Sequence, residues 1–183
     1  MNDTEATASA ADDFRSRALG DLQSAAEELF ANYGAELKLD TSAEELQRRL
    51  ELTLGAAIGF TSPHVRGILA ITVDDDLAHQ MNPVANGNAG DASGDWIGEL
   101  ANQLLGRLKN KLLSCGVELA LSTPVIVEGN HLRIGGVQRR ATKLRFTDST
   151  READIWWDAE VDDDLVLVES AEEAQAEGDM LLF

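Results

Sequence analysis

Between Leu50 and Phe60 every second residue is apolar: Leu50, Leu52, Leu54, Ala56, Ile58 and Phe60. Successive side chains of an extended chain point to opposite sides, so this alternation reads as a strand with one wet face and one dry face. The turn-like TSPHVRG follows, and ILAITVDDD supplies a second apolar run. Two such runs joined by a short connection predict an antiparallel hairpin. A hairpin alone is marginal in water, so other elements must be laid across its dry face.

The flanking sequence offers them. From Asp12 or Asp13 onward, Phe14, Leu19, Leu22, Ala26, Leu29, Phe30 and Tyr33 recur at helical spacing, and Gly34 fits a C-cap. Residues 1–11 are small and polar and are expected to be disordered, which leaves a domain over 12–168. TSAEELQRRL opens with a Ser42 to Glu45 capping box and predicts a short helical turn. Asp75 or Asp76 suits the cap of a short helix, LAHQMN, and the Gly/Asn-rich ANGNAGDASG reads as a loop. A second amphipathic helix covers residues 95–113, stopped by Gly116. Beyond it, VELALSTPVIVEGNHLRI predicts short strands broken at Pro124 and turned at Gly129–Asn130. ATKLRFTDSTREADIWWDAEV predicts a further hairpin turning through Asp148–Glu152, and LVLVE one more strand. The expected class is α+β, with two long helices packed against an antiparallel β-sheet.

Charge and composition exclude several functions. The 183 residues carry a net charge of −18, and no cluster of Lys and Arg interleaved with aromatics appears, so a nucleic-acid backbone would be repelled. Cys115 stands alone, which rules out an intrachain disulfide and fits a reducing cytoplasm. The longest apolar runs are too short to span a bilayer, and residues 1–13 lack a signal-peptide core. His64, His79 and His131 are isolated in sequence, and the DDD runs at 74–76 and 162–164 lack a calcium-loop spacing, so no metal site of the chain's own is expected. No Lys or Arg follows Arg151, and residues 169–183 read as an acidic tail ending in the apolar MLLF. That ending is either an unstructured end or a docking peptide for a partner's groove.

The helix over 95–113, DWIGELANQLLGRLKNKLL, carries the chemistry. At 100° per residue, Ile97, Leu100, Ala101, Leu104, Leu105, Leu108 and Leu112 share one arc. Asp95, Glu99, Asn102 and Gly106 fall almost diametrically opposite, forming one row. Gly106 is the oddity, because a mid-helix Gly costs about 1 kcal/mol relative to Ala. Bare backbone one turn beyond Asn102 suits close approach by another protein. Trp96 sits at the boundary of the apolar arc and is read as a packing residue at its rim.

At these residues the chain resembles the CheC/CheX/FliY-type phosphatases of bacterial chemotaxis. The likeness rests on Asp95, Glu99, Asn102 and Gly106 in DWIGELANQLLG, and on Pro124 and Gly129 in the downstream STPVIVEG. The order of elements is similar to the single-site CheX branch. A second motif of the two-site CheC kind is not matched, since Glu28 and Asn32 in SAAEELFANYG are four apart.

The resemblance implies an enzyme that hydrolyses the aspartyl phosphate of a CheY-like response regulator. The regulator would supply the phosphoryl group, Mg2+ and a Lys. By the same resemblance Asn102 would position the attacking water and Glu99 would pair with that Lys, while Asp95 and Gly106 would contact the partner. No metal or cofactor of the chain's own is implied. Relatives in this branch dimerise through sheet edges, which the late strands around Trp156–Trp157 would suit. The residue types fit the chemistry. Phosphoryl transfer needs an in-line water and charge neutralisation rather than a covalent helper. A carboxamide holds a water without adding negative charge. The same helix face would also serve a non-catalytic module that binds a regulator.

Overall fold

The computed structural model describes residues 9–41, 53–83, 91–129, 141–148 and 150–168. Chain order is α1 (Ala10–Asn32), β1 (Lys38–Leu39), β2 (Thr53–Thr61), β3 (Val65–Asp74), α2 (Asp75–Met81), α3 (Asp91–Leu113), β4 (Ala120–Leu121), β5 (Val125–Gly129), β6 (Thr142–Thr147) and β7 (Glu152–Val161). The strands form one seven-stranded sheet in the order β1-β6-β7-β3-β2-β4, with β5 also paired to β2. Its pairings are antiparallel. An antiparallel sheet with helices is therefore what the sequence led us to expect, here with three helices among the described residues.

The alternation found in the sequence sets the register. β2 and β3 pair from Thr53↔Asp74 to Thr61↔Arg66, and Leu54, Ala56, Ile58 and Phe60 are all buried on the dry face. Leu69, Ile71 and Val73 of β3, Ile155 and Trp157 of β7 and Phe146 of β6 extend that face. Against it lie Phe14, Leu22, Leu29 and Phe30 of α1 and the leucines of α3. Each such side chain contributes about 1.5–3 kcal/mol when taken fully out of water. Phe60 stacks on Trp157 at 4.4 Å between centroids and 7° between planes, and Phe30 meets Phe146 edge-on at 5.4 Å.

The helix boundaries have local causes. α1 begins two residues before Asp12, because the Ser9 hydroxyl accepts a hydrogen bond from the Asp12 N–H and Ala11 is already buried. Gly34 (φ 71°) and Gly116 (φ 80°) end α1 and α3 in the same way. Ala35 N–H reaches back to Phe30 C=O and Val117 N–H to Leu112 C=O, a six-to-one bond that needs a left-handed residue inside it. Asp74, rather than Asp75 or Asp76, caps α2, its carboxylate accepting from Leu77 N–H at 2.7 Å.

Three further expectations need correction. The loop reading of ANGNAGDASG fails at its end, where α3 already begins at Asp91 despite Gly94. LVLVE forms no strand over 165–168; Leu165 is buried, and Val168 N–H bonds to Cys115 C=O, so the segment is packed down as irregular chain. β7, with Trp156 and Trp157, lies inside the sheet between β6 and β3, so the tryptophans are not at an edge. Trp157 is core and Trp156 is overlaid by Lys143 Nζ at 5.1 Å. The hairpin β6–β7 does turn at Asp148, whose carboxylate accepts from Thr150 N–H and Arg151 N–H and pairs with the Arg151 guanidinium. The helical turn expected at TSAEELQRRL and the tail 169–183 fall outside the described residues.

Candidate functional site

α3 runs 23 residues with Ile97, Leu100, Ala101, Leu104, Leu105, Leu108 and Leu112 fully buried. Seven apolar residues on one arc leave the opposite arc no choice but solvent. Asp95, Glu99 and Asn102 are accordingly exposed and Gly106 half-buried, in one row along the helix. Glu99 and Asn102 stand three residues apart, which sets their side chains side by side.

Each flank of the row is built by a different element. On one side β5 lies across the helix. A methyl placed on Gly98 would meet Ile126 Cδ1 at 3.4 Å and Pro124 Cγ at 3.6 Å, and one on Gly94 would meet Ile126 Cγ2 at 3.8 Å. These two glycines, four apart, make a shallow seat for the strand. Pro124 and Gly129, singled out in the sequence, bracket that strand. The seat itself went unnoticed, although the Gly-x-x-x-Gly spacing was there to be read.

On the other side stands the C-terminal end of α1. Tyr33 packs edge-on against Trp96, with centroids 4.9 Å apart and planes at 86°. Its hydroxyl donates to Gln103 Oε1 at 2.9 Å, and Gln103 Nε2 donates to Glu99 Oε1 at 2.9 Å. Trp96 is thus a packing residue of this flank, partly buried against the core.

Basic residues follow the row toward the helix C-terminus. Glu28 of α1 pairs with Lys111 at 2.9 Å and approaches Arg107 at 3.7 Å. The Lys111 ammonium, hydrogen-bonded to Glu28, holds that carboxyl below its usual range. These cations therefore help close the α1–α3 seam. A shallow groove lined by Gln103, Gly106, Arg107, Lys109 and Asn110 continues the exposed row.

Among the described residues nothing explains Gly106. A methyl there would meet no atom of the described residues within 4 Å beyond its own helix backbone, and its φ is not positive. Gly106→Ala is expected to stabilise the free protein by about 0.5–1 kcal/mol, raising Tm by about 1–4 °C in a scanning-calorimetry trace. If another protein approaches this backbone closely, the same change should weaken that binding on the order of tenfold, about 1.4 kcal/mol, in a titration. Gly20, equally open but exposed on α1, serves as the control: Gly20→Ala should stabilise and leave binding alone. Equal binding by the Gly106 variant would remove the close approach.

Elsewhere the fold joins groups that the sequence left apart. Ligand atoms of His64, Asp162 and Asp164 lie within 4.8 Å of one another, so His64 is not isolated. A hydrogen bond of 3.2 Å between His64 Nδ1 and Asp164 Oδ1 accounts for much of that grouping. His131 lies outside the described residues. No helix among the described residues is long and apolar enough to cross a membrane.

The family described as chemotaxis phosphatase CheX matches residues 54–146, a span that includes all of α3 and β5. No curated protein matches the chain. Among solved structures, the chemotaxis protein CheX from Vibrio vulnificus is 23% identical, with a TM-score of 0.62 over 84% of this chain and 100% of that one. A chemotactic CheC-like protein from Shewanella oneidensis is 26% identical, with a TM-score of 0.60 over 80% and 97%. A complex of CheX with CheY, BeF3 and Mg2+ from Borrelia burgdorferi contains a chain 14% identical, with a TM-score of 0.61 over 78% and 97%.

Proposed function

Because this chain belongs to the chemotaxis phosphatase CheX family, we propose that it hydrolyses the aspartyl phosphate of a CheY-like response regulator by inserting α3 into the regulator's site. The observation that carries this reading is one row of exposed Asp95, Glu99 and Asn102 with half-buried Gly106, on a helix whose other face is locked in the core. A CheX relative has been captured with CheY, BeF3 and Mg2+, which supports a partner of that kind.

In this mechanism water attacks phosphorus as the bond to the acyl oxygen breaks, releasing phosphate and restoring the aspartate carboxylate. Asn102 orients the water. Its carboxamide oxygen accepts from the water, while its N–H2 donates toward a phosphoryl oxygen and adds no negative charge. Glu99 pairs with the regulator's Lys, a charge-assisted contact that fixes the helix in register. Asp95 and Gly106 contact the regulator above and below that pair. A Mg2+ held by the regulator, and not by this chain, would supply charge neutralisation at the phosphoryl group.

Mixing the purified chain with a phosphorylated CheY-like protein and following phosphate release tests this directly. Faster loss of the phosphoryl group is expected; binding with an unchanged half-life would make the chain a non-catalytic docking module.

A homodimer is part of the same proposal, and β5 is the strand that suits it. Val125, Ile126 and Val127 are 64%, 42% and 44% exposed, and among the described residues β5 is paired only with β2. Such apolar edge strands are normally covered. Light scattering at the mass of a single chain would remove this part of the reading.

A further inference from the structure

We infer that Tyr33 and Gln103 are positioning residues for Glu99, coupling the end of α1 to the exposed row on α3. The inference rests on the phosphatase reading for its consequence, but not for its geometry. A phenol can donate to an amide oxygen, and an amide N–H2 can donate to a carboxylate, so the two 2.9 Å bonds fix one orientation of the Gln103 side chain. Reversing the amide would set its oxygen against the carboxylate and its N–H2 against the phenol. Gln103 is thus held from both ends.

The ring of Tyr33 is itself fixed. It belongs to the residue that caps α1, just before Gly34 turns the chain, and it packs edge-on against Trp96. Trp96 precedes Glu99 by three residues and is anchored against the core. A closed figure results: Tyr33 touches Trp96 through its ring and Gln103 through its hydroxyl, and both neighbours lie within one turn of Glu99. Free glutamates on helices sample several rotamers, and ordering one on binding costs affinity. Holding Oε1 beforehand removes that cost, while the described residues leave Oε2 for the partner's cation.

Tyr33→Phe deletes only the hydroxyl and keeps the ring against Trp96. The expected result is a KM for the phosphorylated regulator raised about three- to tenfold, the scale of one lost preorganising hydrogen bond. The value of kcat should change less than about twofold and Tm by no more than about 2 °C. Gln103→Ala should match it, and the double variant should be no worse than either. In a Glu99→Ala background Tyr33→Phe should have no effect, which a general structural role would not predict. An unchanged KM, or the same factor in the Glu99→Ala background, overturns the inference. If the wild type accelerates no regulator, the phosphatase reading fails separately, and the relay is then decided in the free protein. There the Glu99 side-chain carboxyl 13C resonance should move on Tyr33→Phe, and a resonance that stays in place overturns it.

Discussion

Asn102→Ala is expected to leave a protein that still binds the phosphorylated regulator and no longer shortens its half-life. The loss should be on the order of 10²–10³-fold in the catalysed rate, the scale seen when a single preorganised hydrogen-bonding group is removed from a site. The physical reason is that the row supplies nothing else of the kind, since the nearby carboxamide of Gln103 is already engaged by Tyr33 and Glu99. Along the row Asp95 and Glu99 carry charge and Gly106 carries no side chain, so the carboxamide is the one neutral group able both to accept from a water and to donate to an oxyanion. The fold should not suffer, because Asn102 is exposed and Ala is the better helix former. Decay of the labelled phospho-regulator, measured beside co-precipitation, separates the two effects. Asn102→Asp should be as inactive, since it places a second negative charge beside the phosphoryl group. Wild-type turnover by Asn102→Ala would mean that the water is ordered by some other group.

The second large effect concerns stability. Gly67→Ala should destabilise the domain by about 3 kcal/mol or more and lower Tm by on the order of 10 °C in calorimetry. Space is the cause here, since the φ of Gly67 is not positive. A methyl at Gly67 would stand 2.1 Å from the Asp158 carbonyl oxygen, 2.6 Å from Phe60 Cζ and 3.0 Å from Ala159 Cα. Two of those three atoms are backbone in β7, and the ladder of β3 with β7 runs from Val65↔Val161 to Val73↔Ala153. They cannot yield without opening that ladder. The third belongs to the ring stacked on Trp157, so relief in that direction breaks an aromatic pair instead. A melting temperature within 1–2 °C of wild type would show that the sheet gives way more easily than its geometry indicates.

How much of this was legible beforehand depends on whether the signal is local. The β2–β3 hairpin was readable because alternation is a property of neighbouring residues; of the six it named, Leu54, Ala56, Ile58 and Phe60 are buried, and Leu50 and Leu52 lie outside the described residues. Gly34 and Gly116 were readable as stops because a left-handed residue has a chemical signature. The start of α3 was missed because Gly94 and the Asn/Gly-rich run before it resemble a loop. In the fold that glycine faces Ile126 of β5, so a feature of packing was mistaken for one of propensity. LVLVE has the composition of a strand, yet Val168 bonds to the end of α3 instead of to a sheet neighbour. The row on α3 followed from helical periodicity. Its Tyr33–Gln103 support joins residues 70 positions apart, and nothing local announces it. The same holds for His64 and the acids at 162 and 164, which meet only when β3 pairs with β7.

The seat on which β5 rests has one more implication. Ile126, itself partly exposed, packs toward Gly94 and Gly98, and Val125 and Val127 beside it stand exposed at the margin of the sheet. Gly98 lies one helical turn before Asn102, so whatever grips that margin also bears on the ground beneath the Asn102 amide. If the chain pairs through this margin and hydrolyses a phospho-regulator as proposed, a subunit contact would not need to reach the row to be felt there.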